Sequence, residues 1–281
     1  MLLKMVCRPV SLQNMNVISH GESHTIEQRD DHQEDRKIRI GAVSYLNTKP
    51  LIFGFEKQMM KEEVELLIDY PSNIAQKLVN DEIDIGLVPV AALPMLSEYH
   101  IISDYCIACD GEVASVCLFS EVPLAQITTI LLDYQSKTSV ALLKILLKKH
   151  WNISPNLVEG AKGYEADIKE ATAGLIIGDR AFQQRLKSRY IFDLGIAWKE
   201  MTGSPFVFAA WVSNKQLSPE FISRFNAANK FGLDNLQKVV ADNDYALYDL
   251  DHYYNVNIKF KPAFDKLEVI TLFLNKLKVA G

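Results

Sequence analysis

The chain has 281 residues, 48% of them hydrophobic, with a formal net charge of −5 and a pI near 5.7. This is ample apolar material for one large domain or two smaller ones, and the acidic balance offers no footprint for nucleic acid. The longest apolar runs, 113–119 and 127–132, fall far short of the roughly 20 residues a membrane-spanning helix needs, so no membrane is implied.

Residues 1–36 are polar, charged and without periodicity, and are expected to be a disordered tail. Their histidines, His20, His24 and His32, are read as solvated rather than as metal ligands. The opening MLLKMVCRPV is too short and broken for a secretory segment, so the four cysteines are expected to be reduced thiols of a cytoplasmic protein.

Residues 38–45 read as a strand. Pro50 suits the first turn of a helix, where no N–H is lost, and it pushes Lys49 out of the helical region. Asn47, Thr48 and Lys49 then lie in a strand-to-helix loop. A second strand is expected at 64–69, followed by a helix from Pro71 with Ile74, Ala75, Leu78 and Val79 as its apolar stripe. IDIGLVPV, 83–90, is apolar almost throughout, as in a strand covered on both faces. This β-α-β-α-β order predicts a parallel sheet.

The pattern then restarts. Two strand-like runs flank Asp110-Gly111, a strand at 127–132 leads into the polar loop 133–136, and a helix is predicted over 138–150. AGLIIGD is another buried strand, ending in Asp179, and FVFAAWVS, 206–213, is one more. The stretches 219–243 and 262–277 read as helices that return to the first unit. The expected architecture is α/β and two-lobed, like periplasmic binding proteins, with a ligand cleft between lobes. Residues 37–108 with 206–281 would form one lobe, and 109–205 the other.

In such sheets ligands sit at the carboxyl ends of strands, where Asn47, Ser136 and Asp179 fall. Helix N-termini favour anions, and two of them, after Asn47-Thr48 and around Ser136-Lys137-Thr138-Ser139, carry short donors. A small dicarboxylate would suit the pair; ordinary helix caps use the same residues. Cys106-Ile-Ala-Cys109 is a C-x-x-C without a second copy, read as buried or hinge thiols rather than as a redox or zinc site. Trp198 either flanks a ring ligand or belongs to the core. His100, His150 and His252 have no recognisable nucleophile partner, which argues against acyl transfer.

RIGAVSYLNTKPL, DIGLVPVAALP, YHIISDYCI, G-x-VASV-x-LFS, LLDYQSKTSVALLKILL, GLIIGDRA and DLGIAWKEMTGSPFVFA-x-W, in that order over 37–280, resemble the chorismate dehydratase family of the futalosine route to menaquinone. The resemblance implies the binding-protein fold and a cytoplasmic lyase that dehydrates chorismate to 3-[(1-carboxyvinyl)oxy]benzoate. It implies no metal and no organic cofactor, and the chain is expected as a monomer or homodimer. On this footing Asn47 and Asp179 are the expected catalytic residues. Ser44, Thr48, Ser115, Ser136, Thr138, Ser139 and Trp198 are the expected substrate-binding ones. Asp179 is equally readable as a helix cap. No strong base falls in these loops, so a carboxylate of the substrate is expected to take the proton. The competing readings are a non-catalytic anion-binding or sensor protein of the same fold and the sister naphthoate synthase of the pathway. The latter would want a histidine in the cleft, and the motif loops hold none.

Overall fold

In the computed structural model, which describes residues 36–280, the run IRIGA forms β1 (Ile38–Ala42). It pairs in parallel with β2 (Val64–Ile68) on one side and β3 (Ile85–Pro89) on the other. The crossovers are α1 (Lys49–Glu56) and α2 (Pro71–Val79), each with a proline in its first turn. Every residue of β3 is buried, as its unbroken apolar run requires.

The first sheet has the order β2-β1-β3-β10-β4, with β4 at His100–Cys109 and β10 at Phe206–Ser213. β10 runs antiparallel to both β3 and β4. The second sheet comprises β5 (Val116–Ser120), β6 (Thr129–Leu132), β7 (Asn156–Glu159), β8 (Thr172–Ile177) and β9 (Tyr190–Asp193), in the order β7-β6-β8-β5-β9. It repeats the first in kind: a parallel trio, then antiparallel neighbours.

Its helices are α3 (Lys137–Leu146), α4 (Asp179–Arg185) and α5 (Leu194–Thr202). The helix expected over 138–150 is thus shorter, and passes into a π turn at Leu147–Trp151. The chain crosses between the sheets at 110–115 and again at 203–205. The carboxylate of Asp193 accepts hydrogen bonds from the N–H groups of Val113, Ala114, Gly195 and Ile196, and so fastens the first crossing to the start of α5.

The C-terminal third breaks where one helix was expected. α6 (Pro219–Asp234) ends at Asn235 and α7 (Leu236–Asp242) follows. α8 (Leu250–His252) winds into a π turn, Tyr253–Asn257, and α9 (Lys266–Ala280) closes the described chain. α6 packs on α1 and β4, in keeping with a return to the first unit, whereas α9 rests on both β10 and α3. Among the described residues no helix is long and apolar enough to cross a membrane. Cys106, Cys109 and Cys117 are buried, and burial pushes their thiols up, Cys106 to about 12, which makes them unreactive. Cys7 and the three tail histidines lie outside the described residues.

Candidate functional site

The carboxyl ends of β1 and β3 face those of β6 and β8 across a hollow. Its walls are apolar: Val43, Leu87, Ile107, Val116, Ile177 and Phe208. Its polar groups come from two loops, one per sheet. The 3-10 turn Leu46–Thr48 after β1 supplies Asn47, with Tyr45 beside it, and the start of α3 supplies Ser136, Thr138 and Ser139. Among the described residues no charged side chain lines the hollow.

Each loop is locally determined. Ser136 is extended and caps α3, its hydroxyl oxygen accepting from the Ser139 N–H at 3.1 Å and its O–H donating to Ser139 Oγ at 2.9 Å. Asn47 is half-buried. Its Oδ1 accepts from the Thr48 hydroxyl at 3.3 Å, and the Tyr253 phenol lies close by. That phenol donates to Ser115 Oγ at 2.7 Å. The Thr48 hydroxyl thus helps to orient the Asn47 side chain.

Hydrogen bonds also join the two sides. The Leu46 N–H donates to Asp179 Oδ1 at 3.0 Å, and the Ala91 N–H to Thr138 Oγ1 at 3.0 Å. The Tyr45 hydroxyl donates to Gln135 Oε1. Asp179 opens α4 but caps nothing with its side chain; Gly178 holds the cap position. Burial raises the pKa of Asp179, and the opposing pull of the Leu46 N–H and of the Lys49 charge does not offset it. The folded protein thus holds this proton more tightly than the unfolded chain does. The stability that follows is present at low pH and is lost as pH rises through the folded pKa. Asp179→Asn keeps an acceptor for Leu46 and removes the charge. Denaturant unfolding at about pH 3 and about pH 7 is expected to show the variant gaining stability relative to the parent as pH rises; a flat difference contradicts this.

Asn47, Ser136, Thr138 and Ser139 thus come together on one hollow. Thr48 is fully buried behind Asn47, and Ser115 is fully buried behind the wall, bonded to Tyr253 rather than facing the space. Ser44 is exposed and does not line the hollow. Trp198 does not line the hollow. It is fully buried between Phe206 and Phe273, with its Nε1–H donating to Pro205 O at 3.0 Å, so its core reading is the one that fits. Sequence reasoning passed over Tyr45, although it stands inside the SYLN motif, and Gln135, although it stands in the 133–136 loop. Tyr253 carried no signal, because it reaches the site from a segment with no motif.

Residues 38–278 match the protein family described as menaquinone biosynthesis. The chain is 28% identical over 224 residues to the chorismate dehydratase of Thermus thermophilus, covering 73% of this chain and 80% of that protein. To the chorismate dehydratase of Campylobacter jejuni it is 25% identical over 248 residues, covering 85% and 97%. In fold it is similar to a Candida albicans protein with the generic periplasmic-binding-protein structure, at a TM-score of 0.57 and 12% identity, covering 88% of this chain and 90% of that one. The two-lobed α/β fold expected of the sequence is the fold found.

Proposed function

The chain belongs to the menaquinone-biosynthesis family, and from that membership we propose that it is a lyase converting chorismate to 3-[(1-carboxyvinyl)oxy]benzoate. One observation supports this above the rest: polar loops from both lobes meet on a single hollow whose walls are otherwise apolar. Such a space suits a ring carrying separated acidic groups. Chorismate has one carboxylate on the ring and one on the enolpyruvyl arm.

The reaction breaks a ring C–H and the ring C–OH bond. The C–H electrons enter the ring, which becomes aromatic, and hydroxide leaves and is protonated to water. Aromatisation makes the elimination downhill. The protein's task is therefore to hold one conformer, exclude water and meet charge where it develops. The backbone N–H groups at the start of α3, with Ser136 and Ser139, would grip one carboxylate without a cation. Asn47, held by Thr48, would donate to the departing oxygen. Asp179, tied to the Leu46 N–H, would hold that loop in place. Among the described residues no strong base lines the hollow, which favours a substrate carboxylate as proton acceptor, and no histidine lines it, which disfavours the sister naphthoate synthase.

Incubating the purified protein with chorismate and separating the mixture by chromatography tests the proposal. The expected result is conversion to an aromatic acid one water lighter. Unchanged chorismate, with heat of binding still seen by calorimetry, would make the protein an anion binder instead.

A further inference from the structure

The hydrogen bond between Tyr45 and Gln135 differs from those of the Leu46 and Ala91 amides, because side chains supply both of its ends. Gln135 has no rotational choice in the matter. Its Nε2 donates to the Tyr134 hydroxyl at 3.1 Å, which leaves Oε1 to accept from Tyr45 and, at 3.0 Å, from Arg180 Nη2. Arg180 is anchored in turn to Asp133 at 2.5 Å and to Glu165 at 2.6 Å. The Asp133 side chain has no exposed surface and also accepts from the Gln135 N–H at 2.8 Å. The Tyr45 ring lies on the backbone of Gly178, where a Cβ would stand 3.3 Å from the ring carbons.

We propose that Tyr45 is a positioning residue of the dehydration: through Gln135 it latches the two lobes closed over chorismate. The identity of the ligand rests on the proposed function; the latch does not. The acceptor is held ready by the ion pair behind it, so closing the lobes costs little further side-chain ordering at Gln135. Behind the amide Arg180 lies between two carboxylates, Asp133 and Glu165. The latch meets the hollow only through Tyr45, a neutral side chain. A latch of this kind changes the fraction of molecules competent to hold substrate, not the chemistry once it is held.

Tyr45→Phe keeps the ring on Gly178 and removes only the hydroxyl, while Gln135→Ala removes the acceptor. Each is expected to raise KM for chorismate about five- to tenfold and to leave kcat within about twofold. The double variant is expected to be no worse than the poorer single one, because both remove the same bond. The Leu46 and Ala91 amides, which donate across the cleft, are expected to exchange with deuterium about fivefold faster in each variant without ligand. An unchanged KM with unchanged exchange overturns the latch. So does additivity in the double variant, and so does a fall in kcat at constant KM, which would give the hydroxyl a direct chemical role. If the parent protein converts no chorismate, the exchange rates alone decide the latch, while the proposed activity falls separately.

Discussion

Asn47→Ala is expected to lower turnover of chorismate by about two to three orders of magnitude, with a much smaller change in KM. The amide projects from a turn whose geometry is set by Pro50 downstream and by the Asp179 carboxylate gripping Leu46. The Thr48 hydroxyl holds its Oδ1, so the amide is partly aimed before the substrate arrives. In a hollow without charged side chains, a fixed donor meets developing charge at low effective dielectric, where it acts far more strongly than it would in water. The carboxylate grip at α3 is untouched by the substitution, which is why binding should survive. Steady-state kinetics on the folded variant, with its circular dichroism matched to the parent, is the check. Turnover kept within about threefold would remove Asn47 from the chemistry.

Gly232→Val is expected to lower stability by at least about 3 kcal/mol. α1 and α6 cross backbone to backbone. A Cβ at Gly232 would stand 1.8 Å from the Pro50 carbonyl oxygen, and one at Gly54 would stand 2.2 Å from the Ala228 carbonyl oxygen. Backbone cannot swing aside as a side-chain tip can, so α1 must be driven outward. Phe53 and Phe231 stack at 6.0 Å beside this crossing, and Phe55, Phe225 and Trp211 cluster nearby, so the displacement would open a well-packed core. The effect also reaches the site, since α1 begins two residues after Asn47. Urea unfolding and thermal melts are the measurements, and about 3 kcal/mol corresponds to a fall in Tm of roughly 6–12 °C. A melt within about 2 °C of the parent would show that the crossing relaxes easily.

The parts of this fold that sequence reveals are those settled by near neighbours. β1, α1, β3 and the cap of α3 follow from apolar runs, Pro50 and Ser136, all local signals, and the two loops that line the hollow came with them. What stayed hidden depends on distant partners. β10 inserts between β3 and β4 from about a hundred residues away, and nothing in FVFAAWVS says so. β7 and β9 are four residues each and half exposed, too short to alternate visibly. The break at Asn235 sits in a stretch that reads as continuous helix.

The same division runs through the site. Ser136, Thr138, Ser139 and Asn47 were legible because caps and loops are written locally. Trp198 was ambiguous because an indole suits a ligand wall and a core equally well, and only Pro205, which accepts its N–H, and the rings of Phe206 and Phe273 decide between them. Ser115 was expected on a strand, but it lies just before β5, in the crossing between the sheets, and its hydroxyl is bonded by a tyrosine 138 residues further on. Asp179 stands at the expected strand end, yet its partner, the Leu46 amide, lies in the other lobe.

The central claim is that the hollow between the two sheets is where chorismate is held and dehydrated. Crystals grown with the aromatic product, 3-[(1-carboxyvinyl)oxy]benzoate, test it most directly. The expected density lies in that hollow, with one carboxylate on the Ser136 and Ser139 end of α3, the ring between Val43, Leu87 and Ile177, and the Asn47 amide facing the ring carbon that lost its hydroxyl. Product seated elsewhere on the protein, with the hollow vacant at saturating concentration, would contradict it.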